Sequence, residues 1–313
     1  MNLYPQFPAV LDSTIIKAWK SCPRKCYYEH FCGLREQDPN MSTDLVAGKA
    51  FAKGLETARK AFYFGSMSAS NAIDEGQIAL GMEYGPDRSG EKKNLPRVRN
   101  AFTKYFDIWP LDKNSGIVPV EDGVEKSFSI PIPGLFHPDT DEPLHYAGRI
   151  DMLGEQKSEI GLLGYDESSG GLYGVDEKTT GSINSTFFTK YDLDWQMLGY
   201  HWAYRQLGLE LQGIKVRGIG LTNRKEIDIT QDYKETVVLY NENIISDWFS
   251  ELLFTANQML DFYTKNKGED SFPQAFGNAC SDYARSCAYK PICSYFHTLP
   301  EYQIIRWNPL ERK

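Results

Sequence analysis

No run of apolar residues in this 313-residue chain is long enough to cross a bilayer. Charges interrupt every such stretch well short of the ~20 apolar residues that a spanning helix requires, so no membrane partner is expected. Met1-Asn2-Leu3-Tyr4-Pro5 lacks the basic segment and apolar core of a secretory leader, which predicts a cytoplasmic protein. A surplus of positive charge is also missing. The 34 Lys and Arg face 42 Asp and Glu, giving a net charge of -8. That balance excludes a histone-like or arm-type nucleic-acid binder, whose affinity comes from neutralising phosphates. It leaves room for an enzyme with a local basic channel, in which clustered carboxylates are neutralised by divalent cations. No Gly-x4-Gly-Lys-Ser/Thr phosphate loop is present, so any strand unwinding would come from a helicase partner. Internal repeats and low-complexity tracts are absent too. What remains is an ordinary globular composition, 41% hydrophobic and 24% charged, able to bury a substantial core.

Cysteines are few and unevenly placed. Cys22, Cys26 and Cys32 lie near the start, and Cys280, Cys287 and Cys293 near the end. Three disulfides would suit a secreted protein, but without a leader a reducing compartment is expected, and metal or cluster ligation is the better reading. Four thiolates in a one-plus-three split would clamp the two ends of the chain together. Iron–sulfur clusters commonly use four cysteines; Zn²⁺ on the same ligands and unligated buried thiols are the alternatives.

Asp12 to Phe31 reads as a helix that starts at an Asp/Ser/Thr capping cluster, carries Ile15, Ile16, Trp19 and Tyr27, and is interrupted at Pro23. A second helix is predicted over 45–64, with Val46, Phe51, Leu55, Ala58 and Phe62 on one side, and a third over 97–106. Strands follow over 124–132, 144–153, 160–165 and 171–178, separated by Gly, Pro, Asp and Ser turn signals. Then come an amphipathic helix over 192–207 with Trp195, Leu198, Trp202 and Leu207 as its buried positions, a strand over 214–221 and a long helix over 243–265. The order predicts an α/β fold, a mixed sheet flanked by helices. No linker demands a second domain, so one domain over 1–313 is expected, with its core at about 120–225 and cysteine-rich ends at about 12–32 and 273–297.

The centre carries the chemistry. Strand alternation sends Arg149 and Asp151 to one face and Ile150 to the other; Asp176 and Lys178 likewise share a face, with Glu177 pointing away. If these strands are neighbours, Asp151, Asp176 and Lys178 meet at one end of the sheet. Two carboxylates and the Glu177 carbonyl can hold Mg²⁺ or Mn²⁺, hard cations that prefer oxygen. Such an ion polarises a phosphodiester and lowers the pKa of an attacking water, and a lysine beside it can orient that water and stabilise charge on phosphorus. Asp-x-Lys alone is common as a solvated strand end whose ion pair contributes under about 1 kcal/mol. Its weight comes from agreement with other segments.

Gly148-Arg149-Ile150-Asp151 resembles the Gly-x-x-Asp motif, and Val175-Asp176-Glu177-Lys178-Thr179-Thr180 the Asp-x-Lys-Thr strand, of the RecB-like nucleases in the PD-(D/E)xK superfamily. Gln196-Met197-Leu198-Gly199-Tyr200 is similar to their Gln-x-x-x-Tyr helix motif, with Gln196 and Tyr200 four apart on one helical face. The resemblance implies a restriction-endonuclease-like mixed sheet and a metal-dependent DNA exonuclease acting on single-stranded ends. Asp151, Asp176 and the Glu177 carbonyl would then be metal ligands, Lys178 would serve the nucleophilic water, and Gln196 and Tyr200 would position the strand. An endonuclease, or a DNA-binding scaffold without the chemistry, is the alternative.

One frame departs from the family. Gly48-Lys49-Ala50-Phe51-Ala52-Lys53-Gly54-Leu55-Glu56 matches Gly-x-x-x-His-x-x-Leu-Glu except that Ala52 stands where the metal-binding histidine belongs. Either the site works with fewer ligands, or this position has been substituted to inactivate it, or the lineage has lost activity; Glu56 and Glu125 remain as nearby acids. Cys22-Pro23-Arg24 resembles the Cys-Pro-Arg segment of the subset that includes AddB-type and CRISPR-associated adaptation nucleases. For that subset the resemblance implies a 4Fe-4S cluster on Cys22, Cys280, Cys287 and Cys293, with Cys26 in reserve and Cys32 in the core. The spacing from Cys280 to Cys287 is longer than the family's usual two residues. Phage recombination or CRISPR adaptation, in the host cytoplasm if phage-encoded, would suit such a nuclease, and an oligomer is compatible with it. Tyr27, Tyr28, Phe31, Phe187 and Phe188 are either base-stacking aromatics or, more commonly, core.

Overall fold

A computed structural model of the chain describes residues 4–36, 43–86, 93–157, 170–221, 227–265, 267–282, 285–295 and 302–310. The strand expected over 160–165 lies outside them. After a short strand β1 (Val10–Leu11), Asp12 caps helix α1 (Ser13–Ser21) by accepting the Ile15 N–H at 2.8 Å, which satisfies one of the open donors of the first turn. Pro23, lacking an N–H, ends that helix and opens the single turn α2 (Pro23–Cys26), which widens into a π-turn over Tyr27–Phe31 before strand β2 (Leu34–Glu36). Helices α3 (Thr43–Arg59), α4 (Ala69–Tyr84) and α5 (Leu95–Ile108) follow. Then come strands β3 (Ile117–Phe136), β4 (Pro143–Gln156) and β5 (Gly171–Thr180), helix α6 (Trp195–Gln206), strand β6 (Leu211–Gly220), the turn α7 (Ile229–Asp232) and strand β7 (Tyr233–Val238). The long helix α8 (Glu242–Lys265) leads into a tail with β8 (Ser281–Asp282), β9 (Arg285–Ser286), α9 (Lys290–Tyr295) and β10 (Tyr302–Ile304).

These elements form two compact units, one of residues 1–39, 127–148 and 241–313, the other of 40–126 and 149–240. In the second, β4 pairs antiparallel with β5, β5 parallel with β6, and β6 antiparallel with β7. The antiparallel register sets Met152 opposite Val175, and the parallel one sets Glu177 beside Arg217. Helices α3, α4 and α5 build an apolar core from Phe51, Leu55, Leu80, Val98, Phe102 and Tyr105. α3 and α4 approach through glycines: a Cβ on Gly76 would stand 2.8 Å from the Gly54 carbonyl and 2.7 Å from the Phe102 ring. The sequence reading did not anticipate α4, because its buried positions are Ala72, Gly76, Leu80 and Tyr84, a stripe made half of the smallest residues. The short strand β7 was also not anticipated.

The other unit centres on rings. Phe7, Trp19, Tyr27, Phe31, Tyr263 and Phe272 meet at centroid separations between 4.7 and 6.4 Å for the direct pairs, within the range of edge and offset contacts. Tyr27, Tyr28 and Phe31 are therefore core, not a surface for stacking on bases. Here β1 pairs in parallel with the start of β4, and β2 pairs antiparallel with β10.

Helix α6 corrects the expected amphipathicity. Every residue from Met197 to Tyr204 is buried, while Leu207, expected inside, is exposed.

Candidate active site

Asp151 on β4 and Asp176 and Lys178 on β5 come together because those strands are antiparallel neighbours. The joint is direct: the Glu177 N–H donates to Asp151 Oδ2 at 2.7 Å. Alternation along β5 turns Asp176 and Lys178 toward α6 and Glu177 toward α3 and α5. Lys178 Nζ lies 2.7 Å from Asp176 Oδ2 and donates to Gln196 Oε1 at 3.0 Å. Asp194 caps α6 by accepting the Gln196 N–H at 2.8 Å, fixing the first turn where Gln196 sits. One turn on, Gln196 Nε2 donates to the Tyr200 hydroxyl at 2.7 Å, and that hydroxyl donates to the Arg149 carbonyl at 2.7 Å. A continuous polar chain thus runs from Asp176 through Lys178, Gln196 and Tyr200 back to β4.

Glu125 approaches from a distorted part of β3. Its φ of 56° and that of Asp122 at 51° lie in the left-handed region, uncommon for residues with a Cβ. The distortion directs the Glu125 carboxylate to Arg149, 2.8 Å from Nε.

The electrostatics are those of crowded, buried acids. Burial, then the neighbouring carboxylates of Asp176, Glu177 and Glu125, push Asp151 well above the usual carboxylate range. Burial likewise raises Asp176, against the pull of Lys178. For Lys178 burial acts downward, but Asp176 and Asp151 overcome it and hold the ammonium above its ordinary value. Two desolvated carboxylates whose charged forms repel are relieved by a hard divalent cation, and the donor set of Asp151, Asp176 and the Glu177 carbonyl suits one. Among the described residues, no group of three or more His, Cys, Asp or Glu side chains is arranged to hold a metal ion. A cation bound here would therefore take its remaining ligands from main chain and water, as Mg²⁺ ordinarily does.

Glu177 is the residue whose surroundings the sequence reading missed. Its carboxylate is gripped by Arg59, accepts from the Tyr105 hydroxyl at 2.8 Å and lies 3.8 Å from Arg217. Burial acts to raise its pKa, and Arg59 with Arg217 outweighs it, leaving the group below its ordinary value. Helical spacing held a clue: Gly48, Ala52, Leu55 and Arg59 fall on one face of α3. A Cβ on Gly48 would stand 3.2 Å from Thr179 Oγ1, so that face meets β5. Ala52 lies on it, half-buried. Glu56 instead pairs with Lys53 and Lys60 at 3.0 and 2.9 Å along the helix surface.

A family model of the PD-(D/E)XK nuclease superfamily matches residues 13–294. The chain belongs to that superfamily. Its strand and helix arrangement, a mixed sheet with flanking helices, agrees with the PD-(D/E)XK fold. Among solved structures, the chain is similar to a "putative exonuclease" from Eubacterium rectale at 14% identity, with a TM-score of 0.44 and 80% of each chain covered. It is also similar to SSO0001 at 14% identity, with a TM-score of 0.32, covering 83% of this chain and 100% of that one. No curated protein matches it. Among the described residues of this PD-(D/E)XK nuclease, no helix is long and apolar enough to cross a membrane.

The cysteines divide by place. Cys22, Cys280, Cys287 and Cys293 line a cavity of about 90 Å³ with Lys25, Phe276 and Tyr289. Ala275 N–H points to Cys22 Sγ at 3.4 Å. Burial pushes the Cys293 thiol up to about 11, with Cys22 and Cys287 adding to the shift and Arg24 opposing it. Cys26 turns away from the cavity, its thiol toward the Ile15 carbonyl at 3.7 Å, and Cys32 is buried. All six are free thiols.

Proposed function

We propose that the chain is a metal-dependent DNA exonuclease acting on single-stranded ends. The observation that carries this reading is the convergence of Asp151, Asp176 and Lys178, locked by the Glu177 N–H on Asp151. Asp151, Asp176 and the Glu177 carbonyl would hold Mg²⁺ or Mn²⁺, which when bound supplies Lewis acidity toward the phosphate and a more acidic water. Lys178, an ammonium between Asp176 and Gln196, would serve the nucleophilic water and stabilise the negative charge that develops on the phosphoryl oxygens. Gln196 and Tyr200 fix that ammonium relative to β4 and would line the strand's path. Preference for single-stranded ends rests on the resemblance to the cluster-containing RecB-like nucleases, which often thread a free end through a narrow channel.

The four cysteines around one cavity favour a structural 4Fe-4S cluster on Cys22, Cys280, Cys287 and Cys293, with Zn²⁺ as the alternative occupant. Ala52 favours a second reading, a DNA-binding subunit without chemistry. Any helicase or recombination partner, phage origin or oligomer belongs to the same proposal.

End-labelled linear and closed circular single-stranded DNA incubated with Mn²⁺ separates these readings. Loss of linear DNA alone, abolished by Asp151→Ala, supports the exonuclease, whereas cut circles mean an endonuclease. Inactivity that persists in Ala52→His leaves the scaffold. Brown protein with broad visible absorbance that bleaches on reduction supports the cluster, and colourless protein with stoichiometric zinc refutes it.

A further inference from the structure

The unit that carries the acid pair also holds a cavity of about 280 Å³ on the sheet face that Glu177 points to, opposite Lys178. Its lining mixes aromatic and apolar side chains, Tyr63, Trp109 and Ile117 among them, with charged ones, Arg59, Lys215, Arg217 and Glu235. Lys215 Nζ donates to Gln156 Oε1 at 2.9 Å and lies 3.4 Å from Glu235, which Arg217 Nε also reaches at 2.8 Å. The Arg217 guanidinium lies 4.7 Å from the Trp109 ring centre, placing positive charge beside that ring. Of the charged side chains lining the cavity, Arg59, Lys215 and Arg217 are cations and Glu235 the one carboxylate among the described residues, while Glu177 and Asp151 act on Arg59 from outside the lining.

A ligand complementary to this lining carries both a flat apolar ring and an anion. The volume falls just below the ~300–1,000 Å³ typical of small-molecule sites, room for one nucleotide and not for a strand. The cavity also touches the catalytic machinery through a short route. Arg59 and Arg217 both contact Glu177, whose N–H holds Asp151. Drawing either guanidinium toward a bound anion would loosen Glu177.

We propose that this cavity binds a nucleoside 5′-monophosphate, with the base against Tyr63 and Trp109 and the phosphate against Lys215 and Arg217. The choice of a nucleotide among flat anions rests on the nuclease reading, since nucleoside monophosphates are what an exonuclease releases. Binding itself needs no hydrolysis, so it can be tested whether or not the chain degrades DNA.

The experiment is isothermal titration of the full chain in EDTA with 5′-dAMP, with deoxyadenosine and with inorganic phosphate. One saturable site is expected for 5′-dAMP, at least tenfold tighter than for either fragment. Lys215→Met, which removes the ammonium and keeps an unbranched side chain, and Trp109→Leu should each weaken it at least tenfold, while Lys178→Ala should leave it unchanged. Absence of saturable binding overturns the proposal, as does equal affinity for a fragment. Loss of binding in Lys178→Ala with retention in Lys215→Met also overturns it, because the nucleotide would then be held at the acid pair. If Trp109→Leu fails to fold, the Lys215→Met comparison decides.

Discussion

Asp151 and Glu177 are both buried carboxylates, yet their surroundings give them opposite signs in the stability of the protein. Asp151 is desolvated among like charges, so it costs stability wherever no cation is bound. Asp151→Asn should raise the urea-unfolding free energy in EDTA by on the order of 1–2 kcal/mol while removing nuclease activity; an unchanged or lowered value would show that the acid is not strained. Glu177 is the counter-ion for Arg59 and Arg217. Glu177→Ala leaves two buried cations short of a partner, a change that costs about 3–5 kcal/mol and should appear in the same unfolding assay. Gln196→Ala and Tyr200→Phe break the chain that aims Lys178. Each should lower kcat about 10–100-fold through misplacement with little change in KM, as read in single-turnover and steady-state digestion of linear DNA.

At the scale of elements, close approach of backbones decides what packs beneath the site. α3 carries Arg59 to Glu177, and α3 is seated by α4 through Gly54 and Gly76. Gly76→Val must push a side chain into the Phe102 ring and the Gly54 carbonyl. Overpacking of this kind costs about 1–3 kcal/mol, and the displacement should carry over to α3. The expected outcome is a lower urea midpoint together with reduced nuclease activity, whereas Gly85→Ala, at a position with open space around it, should affect stability through its positive φ alone and leave kcat intact. The distortion of β3 at Asp122 and Glu125 belongs to this scale as well, since an undistorted strand would not aim Glu125 at Arg149.

Over the whole molecule, histidines buried in neutral form add to the acid sensitivity that depressed carboxylates such as Glu177 confer. Burial lowers His30 to about 3 and His201 to about 4 from the ordinary 6.5. In the unfolded chain both take a proton near pH 6.5, and in the folded chain they resist it. Their contribution is therefore complete above pH 6.5 and is lost as pH falls toward 4 and then 3. Asp151 and Asp176, raised by burial, work the other way and gain relative stability on acidification. Comparing His30→Phe with the unaltered chain isolates the histidine part: the fall in urea midpoint between pH 7.5 and 5 should be smaller in the variant.

Much of the candidate site could be read in the sequence because it depends on local periodicity. Period two along a strand puts Asp176 and Lys178 on one face, and four-residue spacing on a helix stacks Gln196 under Tyr200, whatever surrounds them. The central strands were legible for the same reason, being marked by alternation and turns, and the helix expected over 192–207 is found as α6, Trp195–Gln206. α4 was not legible, because its buried stripe is partly glycine and alanine and gives little apolar signal. The outward placement of Leu207 and the burial of α6 on all sides were not legible either, since periodicity does not report how many neighbours a helix has. Only the tertiary structure decided that Asp151 receives the Glu177 N–H, that Arg59, Tyr105 and Arg217 converge on one carboxylate, and that four of six thiols share a cavity. Those contacts join residues far apart in the chain, and which long-range partners meet is fixed by strand register and helix packing, not by the pattern of any one segment.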